Sequence, residues 1–290
     1  MNLTSPKTIK ELLTKHETKA SKGLGQNFLI DKNVLEKIVR SADIKPNDII
    51  LEVGPGIGTL TQELAKKAKQ VIAVEKSETM VKILAETLKD YKNIKIENCD
   101  ILEFIENCKL KIVNYKVVAN IPYYLTSPLI RFLLENENPP SEIILMVQKE
   151  VAQRICSKPP KMSLLAVSVQ FYAEPKIISY VSKSCFLPAP KIDSAIIKIT
   201  PHTPVIASLP AGRQGAMATK QSRTREQELF FKIVKAGFSH PRKQLANNFI
   251  TTLKLDRKSV EEWLKKNNIK STQRAETLRI EDWKNLADSL

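Results

Sequence analysis

From residue 48 onward, short segments of six or seven residues rich in Ile and Val alternate with longer amphipathic stretches. The runs at 48–53, 70–75, 94–99, 115–120 and 141–147 predict strands, and the stretches at 60–68, 78–89, 127–135 and 149–156 predict helices. Repeated strand-helix units of this kind imply an α/β domain with a parallel sheet covered by helices on both faces. In such sheets a ligand sits beyond the carboxyl ends of the strands. The residues at those ends are Gly54, Glu75, Asp100, Asn120 and Gln148.

The pattern changes on either side. Residues 1–22 carry five lysines and few apolar side chains, and read as a mobile basic arm with helical character around Ile9 to Leu13. The helix Lys32 to Ser41 follows, with Asp31 placed as its N-cap. Residues 176–181 and 194–200 read as two further strands closing the domain, and the apolar segment Ser163 to Tyr172 is expected to pack on the sheet. Residues 202–225 hold almost no large apolar side chain and read as a flexible linker or insertion. Beyond them, Leu229, Phe230, Ile233 and Val234, then Leu245, Phe249 and Ile250, then Val260, Trp263 and Leu264 recur at helical spacing and predict a small all-α domain. The expected division is therefore an arm at 1–22, a catalytic domain at 23–201, a linker at 202–225 and a helical domain at 226–290.

Charge adds a partner. The chain holds 46 Lys+Arg against 31 Asp+Glu, a net charge of +15. Residues 201–290 carry 17 basic and 9 acidic side chains, so over half of the excess lies in the last third. Such an excess favours a polyanion, most simply a nucleic acid. The loop Gly237-Phe238-Ser239-His240-Pro241-Arg242-Lys243 combines an aromatic with basic residues, and Arg242 and Lys243 are candidate phosphate contacts. The four cysteines, Cys99, Cys108, Cys156 and Cys185, are scattered without metal-ligand spacing, so no metal is expected and a reducing cytoplasm fits. With neither a signal peptide nor an apolar run approaching a membrane span, a cytoplasmic protein without membrane association is expected, and a monomer.

The candidate chemistry lies at the strand ends. Gly54-Pro55-Gly56-Ile57-Gly58 is a strand-to-helix turn in which alternate glycines let a ligand approach the backbone closely. Its spacing differs from the G-x-G-x-x-G of a dinucleotide site, and it lacks the Gly-Lys-Ser/Thr of a phosphate loop. Glu75, at the end of the next strand, suits the two hydroxyls of a ribose, so a nucleoside is favoured over a pyrophosphate. Asp100 suits either the exocyclic amine of an adenine or a helix N-cap before Ile101. Upstream, Asn27 offers amide donors to a carboxylate or merely belongs to the approach to the next helix. The fourth strand ends in Asn120-Ile121-Pro122-Tyr123-Tyr124. Pro122 holds the backbone extended there, so the Asn120 side chain and the Ile121 carbonyl offer two acceptors beside the flat face of Tyr123. That set suits an aromatic amine. Phe186, held between Cys185 and the Leu187-Pro188-Ala189-Pro190 run, either plugs the core or forms a second face for a base.

Taken in order, Gly25-Gln26-Asn27-Phe28-Leu29, Glu52-Val53-Gly54-Pro55-Gly56-Ile57-Gly58, Glu75, Asp100, Asn120-Ile121-Pro122-Tyr123-Tyr124, Gln148-Lys149-Glu150 and Phe186-Leu187-Pro188-Ala189-Pro190-Lys191-Ile192-Asp193-Ser194-Ala195 resemble the ribosomal RNA adenine dimethyltransferases. The resemblance covers residues 19–200 closely and the helical end loosely. It implies a Rossmann-like methyltransferase fold, a mostly parallel seven-stranded sheet flanked by helices, with S-adenosylmethionine as cofactor. It implies further that Asn27, Leu29 and Gly54 line the methionine end, with Gly56 in the same turn, that Glu75 binds the ribose, and that Asp100 binds the adenine amine. Asn120 and Ile121 would hold the target amine, with Tyr123 and Phe186 stacking on the target base. The Leu-Gly-Gln-Asn-Phe-Leu start and the Pro-Lys-Ile-Asp-Ser-Ala segment are similar to the branch that dimethylates two adjacent adenosines in the 3′-terminal hairpin of small-subunit (16S) rRNA, during assembly of that subunit. The alternatives are the large-subunit (23S) branch that confers macrolide resistance and a non-catalytic RNA-binding assembly factor. The chain departs from the family at Met162-Ser163, where a Tyr-Gly pair is usual, at His240-Pro241-Arg242-Lys243, and at 202–225.

Overall fold

The computed structural model describes residues 1–21, 25–107, 114–202 and 216–290, with side chains described from 225 onward in the last of these segments. They form two compact units, Met1–Gln153 with Ala173–Pro201, and Arg154–Tyr172 with His202–Leu290.

The first unit is built on the strands read from the hydrophobic pattern. They are β2 Ile49–Val53, β3 Gln70–Val74, β4 Ile94–Glu97, β5 Tyr115–Asn120 and β6 Glu142–Gln148, joined by α3 Thr59–Ala65, α4 Glu78–Thr87, α5 Ile101–Asn107 and α6 Thr126–Glu135. Two longer strands, β7 Ala173–Val181 and β9 Ser194–Pro201, complete a seven-stranded sheet in the order β4-β3-β2-β5-β6-β9-β7. The first five strands run parallel, while β9 lies antiparallel between β6 and β7. Ile143 to Val147 are buried without a break, and so are Val117 to Ala119. An uninterrupted apolar run is what a strand covered on both faces requires.

Helix α2, Lys32–Ser41, begins as its sequence dictates. An Asp31 carboxylate oxygen accepts from the backbone N–H groups of Asn33 and Val34, and Leu35, Ile38 and Val39 form its buried stripe. Asp31→Ala should therefore cost about 1 kcal/mol of stability. A lowered urea midpoint with an unchanged m-value would show it.

Three expectations are corrected. The N-terminal arm is ordered: α1 Pro6–Lys15 starts from a Ser5 cap, and Ile9 and Leu12 are buried with Phe28, Ile57, Met80 and Ile83. Lys15 and His16 both bond the Glu86 carboxylate, at 2.7 and 3.0 Å. Five lysines concealed a two-turn apolar stripe. Secondly, the segment Ser163 to Tyr172 belongs to the second unit, where Met162, Ala166 and Val167 of the stretch around α8 Leu164–Gln170 are buried among C-terminal helices. An apolar run fixes burial, not the surface that provides it. Thirdly, of the expected linker, 203–215 lie outside the described residues, while 216–225 are the beginning of helix α9 Ala216–Gly237.

The second unit is helical, with α8 and α9 joined by α10 Leu245–Leu253, α11 Arg257–Lys266 and α12 Ile280–Asp288. Its core gathers Ile233, Val234, Phe249, Val260, Leu264 and the fully buried Trp283. The chain enters this unit within α7, Lys149–Ile155.

Candidate functional site

A cavity opens beyond the carboxyl ends of β2, β3, β4 and β5, where the topology places a ligand. Its floor is the turn between β2 and α3. Gly56 has φ +59°, and a Cβ there would lie 3.3 Å from a Phe28 ring carbon. Gly25, with φ +63°, passes Pro122 so closely that a Cβ would stand 3.2 Å from the proline Cβ. Strand β1, Phe28–Leu29, is thus pressed against the glycine turn through Phe28, and the loop before it against Pro122 through Gly25. Side chains at these glycines would strain the backbone and fill the cradle.

Glu75 lies at the far side. Its Oε2 accepts the Gly56 N–H at 3.2 Å and its Oε1 accepts the Ser77 N–H at 2.9 Å. Burial pushes the Glu75 carboxyl above its ordinary range, against the opposing pull of those backbone donors. Asn98 donates to the Glu75 carbonyl at 2.8 Å, tying the tips of β3 and β4 together.

Of the two roles open to it, Asp100 takes that of a helix cap. Its Oδ1 caps α5 by accepting the Leu102 N–H at 2.9 Å, while Oδ2 pairs with Lys76 at 2.9 Å, and the residue lines the cavity. Burial works to raise its carboxyl, but the Lys76 hydrogen bond and the Leu102 N–H outweigh it, and the group is held below the usual value.

The opposite wall is Asn120, Ile121 and Tyr123. Asn120 Nδ2 donates to the Asn27 carbonyl at 3.2 Å, and Asn27 Nδ2 donates to the Gly25 carbonyl at 3.1 Å. The first bond fixes the Asn120 amide through its nitrogen and leaves Oδ1 without a protein donor among the described residues, available as an acceptor. Tyr123 stands on a short 3-10 turn, Tyr123–Leu125, with its hydroxyl 2.8 Å from Ser194 Oγ. Tyr124, 56% exposed, lies at the cavity mouth.

The candidates Asn27, Leu29, Gly54, Gly56, Glu75, Asp100, Asn120, Ile121 and Tyr123 thus line one cavity. Phe186 does not. It lies in the short strand β8, Phe186–Leu187, antiparallel to β1, and is buried with Leu29, Val181 and Ile196. The reading of Phe186 as a second face for a base is corrected to a core role: pairing with β1 turns its ring inward. In the 237–243 loop the aromatic has a packing role, since the Phe238 ring stacks on Trp283 at 5.5 Å between centroids. Arg242 and Lys243 are exposed on the following loop, which is shaped by the buried Asn248 donating to the carbonyls of Gly237 and His240.

Two site residues lacked a role in the sequence reading. Glu52, inside β2, is buried at 1% exposure with Oε2 unpartnered, and it lines the cavity. Burial pushes its carboxyl up to about 8, so it is largely protonated at neutral pH. An acid inside an apolar strand was the available signal. Ser194 carried none, for a hydroxyl at a strand start is ordinary.

Over residues 17–211 the chain matches the family described as Ribosomal RNA adenine dimethylase. A protein of Alkaliphilus oremlandii, Ribosomal RNA small subunit methyltransferase A, is 40% identical over 296 residues, covering 99% of this chain and 98% of its own. One of the same description from Dehalococcoides mccartyi is 42% identical over 279 residues, covering 96% and 90%. Among solved structures, a dimethyladenosine transferase from Plasmodium falciparum is similar with a TM-score of 0.69 at 25% identity, over 89% of this chain and 95% of that one. The 23S rRNA methyltransferase ErmE is similar with a TM-score of 0.67 at 26% identity, over 91% and 99%.

Proposed function

Because this chain belongs to the ribosomal RNA adenine dimethylase family, we propose that it dimethylates the N6 amines of two adjacent adenosines in the 3′-terminal hairpin of small-subunit rRNA. The observation that carries this is that the glycine turn, Glu75, Asn120, Ile121 and Tyr123 line one cavity, where they could serve as a nucleoside cradle, two acceptors and a stacking ring. The choice of small-subunit RNA over large-subunit RNA rests on relatives 40% and 42% identical over nearly the whole chain, against 26% for the 23S enzyme.

The cavity suits S-adenosylmethionine. Its glycine cradle is of the kind a Cβ would fill, and a buried carboxylate at Glu75 faces it. Glu75 would take the ribose, Asp100 the adenine amine, and Asn27, Leu29 and Gly54 the methionine end. When bound, the cofactor would supply an electrophilic sulfonium methyl, and the amine that takes it would release one N–H proton to water.

The protein's part is orientation. An adenine N6 amine is a weak nucleophile because its lone pair is delocalised into the ring. Accepting its hydrogens at Asn120 Oδ1 and the Ile121 carbonyl favours a pyramidal nitrogen and frees that pair. The target base must leave its stack to enter the cavity, and stacking on Tyr123 offsets part of that cost. The exposed Arg242 and Lys243 serve the phosphate backbone. Lys243→Ala should weaken RNA binding across sequences alike and reduce the slope of log K against log salt by about 1.

Competition of RNA and DNA hairpins for the protein tests the substrate class. Displacement by RNA alone supports the reading; equal displacement by DNA of the same sequence contradicts it.

A further inference from the structure

We infer that Ser194 is a positioning residue for the target base, holding the Tyr123 ring through a buried hydroxyl and so favouring the second of two methyl transfers. The inference rests on the reading of an adenine amine at Asn120.

Ser194 begins β9 and is paired on both sides, with Gln148 of β6 and Val181 of β7. It is fully buried, and a hydroxyl in such a place needs a partner. Its partner is the Tyr123 hydroxyl, 2.8 Å away and 71 residues distant in sequence. The other end of Tyr123 is held as well, since the Thr126 hydroxyl donates to its carbonyl at 3.0 Å and Thr126 is itself buried. Tyr123 stands on a single 3-10 turn, so the Thr126 bond holds its backbone while the Ser194 bond ties down the far end of its ring. Burial, only partly opposed by the Ser194 bond, raises the phenol above its ordinary range and keeps the hydroxyl protonated.

A stacking surface already fixed in orientation loses less freedom when a base arrives. The two transfers depend on that surface unequally. In the first round the amine has two hydrogens, one for Asn120 Oδ1 and one for the Ile121 carbonyl. In the second it has one, and a methyl occupies the other direction. With one acceptor lost, the stack on Tyr123 carries a larger share of the positioning, so a loosened ring slows the second round more than the first.

The test compares Ser194→Ala, Tyr123→Phe and the double variant by single-turnover transfer to small-subunit RNA, resolving monomethyl- from dimethyladenosine. Cofactor affinity and thermal melting are measured alongside. Each single variant should slow the second transfer about three- to tenfold, the range of one lost hydrogen bond, with a smaller effect on the first. Monomethyladenosine should accumulate. The double variant should be no slower than either single one, because both remove the same bond. RNA carrying 2-aminopurine at the target should show weaker stacking quench in both single variants.

Wild-type product ratios in Ser194→Ala and Tyr123→Phe, equal slowing of both transfers, or additive losses in the double variant would each overturn the inference. Should Ser194→Ala melt early, Tyr123→Phe decides, since it leaves the sheet untouched. A wild-type protein that makes no dimethyladenosine sinks the functional reading itself, and this inference with it.

Discussion

Asn120→Ala is expected to lower methyl transfer by about 10²- to 10³-fold, the usual cost of removing one polar group aimed at a reacting centre. The change removes the Oδ1 acceptor, leaving the amine with the Ile121 carbonyl alone. It also removes the bond from Nδ2 to the Asn27 carbonyl, worth about 1 kcal/mol of stability. Asn120 lines the cofactor side of the cavity too, so cofactor affinity should fall, but by less than tenfold. Asn120→Asp separates geometry from chemistry. It keeps an acceptor of the same shape but loses the donor to Asn27, placing a negative charge beside a carbonyl. Single-turnover transfer, with calorimetric titration of cofactor, reads both effects. Transfer near the wild-type rate in Asn120→Ala would refute the orientation mechanism.

Glu75→Ala should weaken cofactor binding about 10- to 150-fold, the range of about 1.5–3 kcal/mol for hydrogen bonds to a charged group. The loss has two sources. The ribose hydroxyls lose their acceptor, and the Gly56 and Ser77 N–H groups lose theirs, loosening the glycine turn. Glu75→Gln keeps one acceptor and should lose less. The same residue predicts a pH response. Burial raises the Glu75 carboxyl, so on acidification it takes up a proton earlier than an exposed glutamate and loses acceptor strength. Cofactor affinity should be full above that raised pKa and decline as pH falls through it. In Glu75→Gln this decline should be absent. Titration of affinity against pH in the two proteins checks the sign.

The central parallel strands were legible because coverage on both faces leaves runs such as Ile143 to Val147 with no polar interruption, whereas edge strand β4 alternates Ile94-Lys95-Ile96-Glu97. The Asp31 cap was legible because its signal is local: a carboxylate one residue before an amphipathic stretch. The cavity followed from topology, since residues that end neighbouring parallel strands must converge wherever those strands pair in register. What sequence could not carry was the identity of distant partners. Phe186 sits beside a proline-rich segment in sequence, but its environment is set by pairing of β8 with β1, more than 150 residues earlier. The 163–172 segment has the composition of a core element, and nothing local says which core. Ser194 is ordinary until Tyr123 is brought to it across 71 residues. The basic arm misled differently: its lysines dominate the composition, while a few apolar residues, Ile9 and Leu12 among them, decide its packing.

Similarity to the relatives extends over nearly the whole chain. No helix among the described residues is long and apolar enough to cross a membrane.

The most direct test of the account is transfer of labelled methyl from S-adenosylmethionine to unmethylated small subunits, beside free large-subunit rRNA, followed by mapping of the modified base. The account predicts label as dimethyladenosine at two adjacent positions of the small-subunit 3′-terminal hairpin. Label confined to large-subunit RNA, or none from a protein that binds the cofactor, would contradict it.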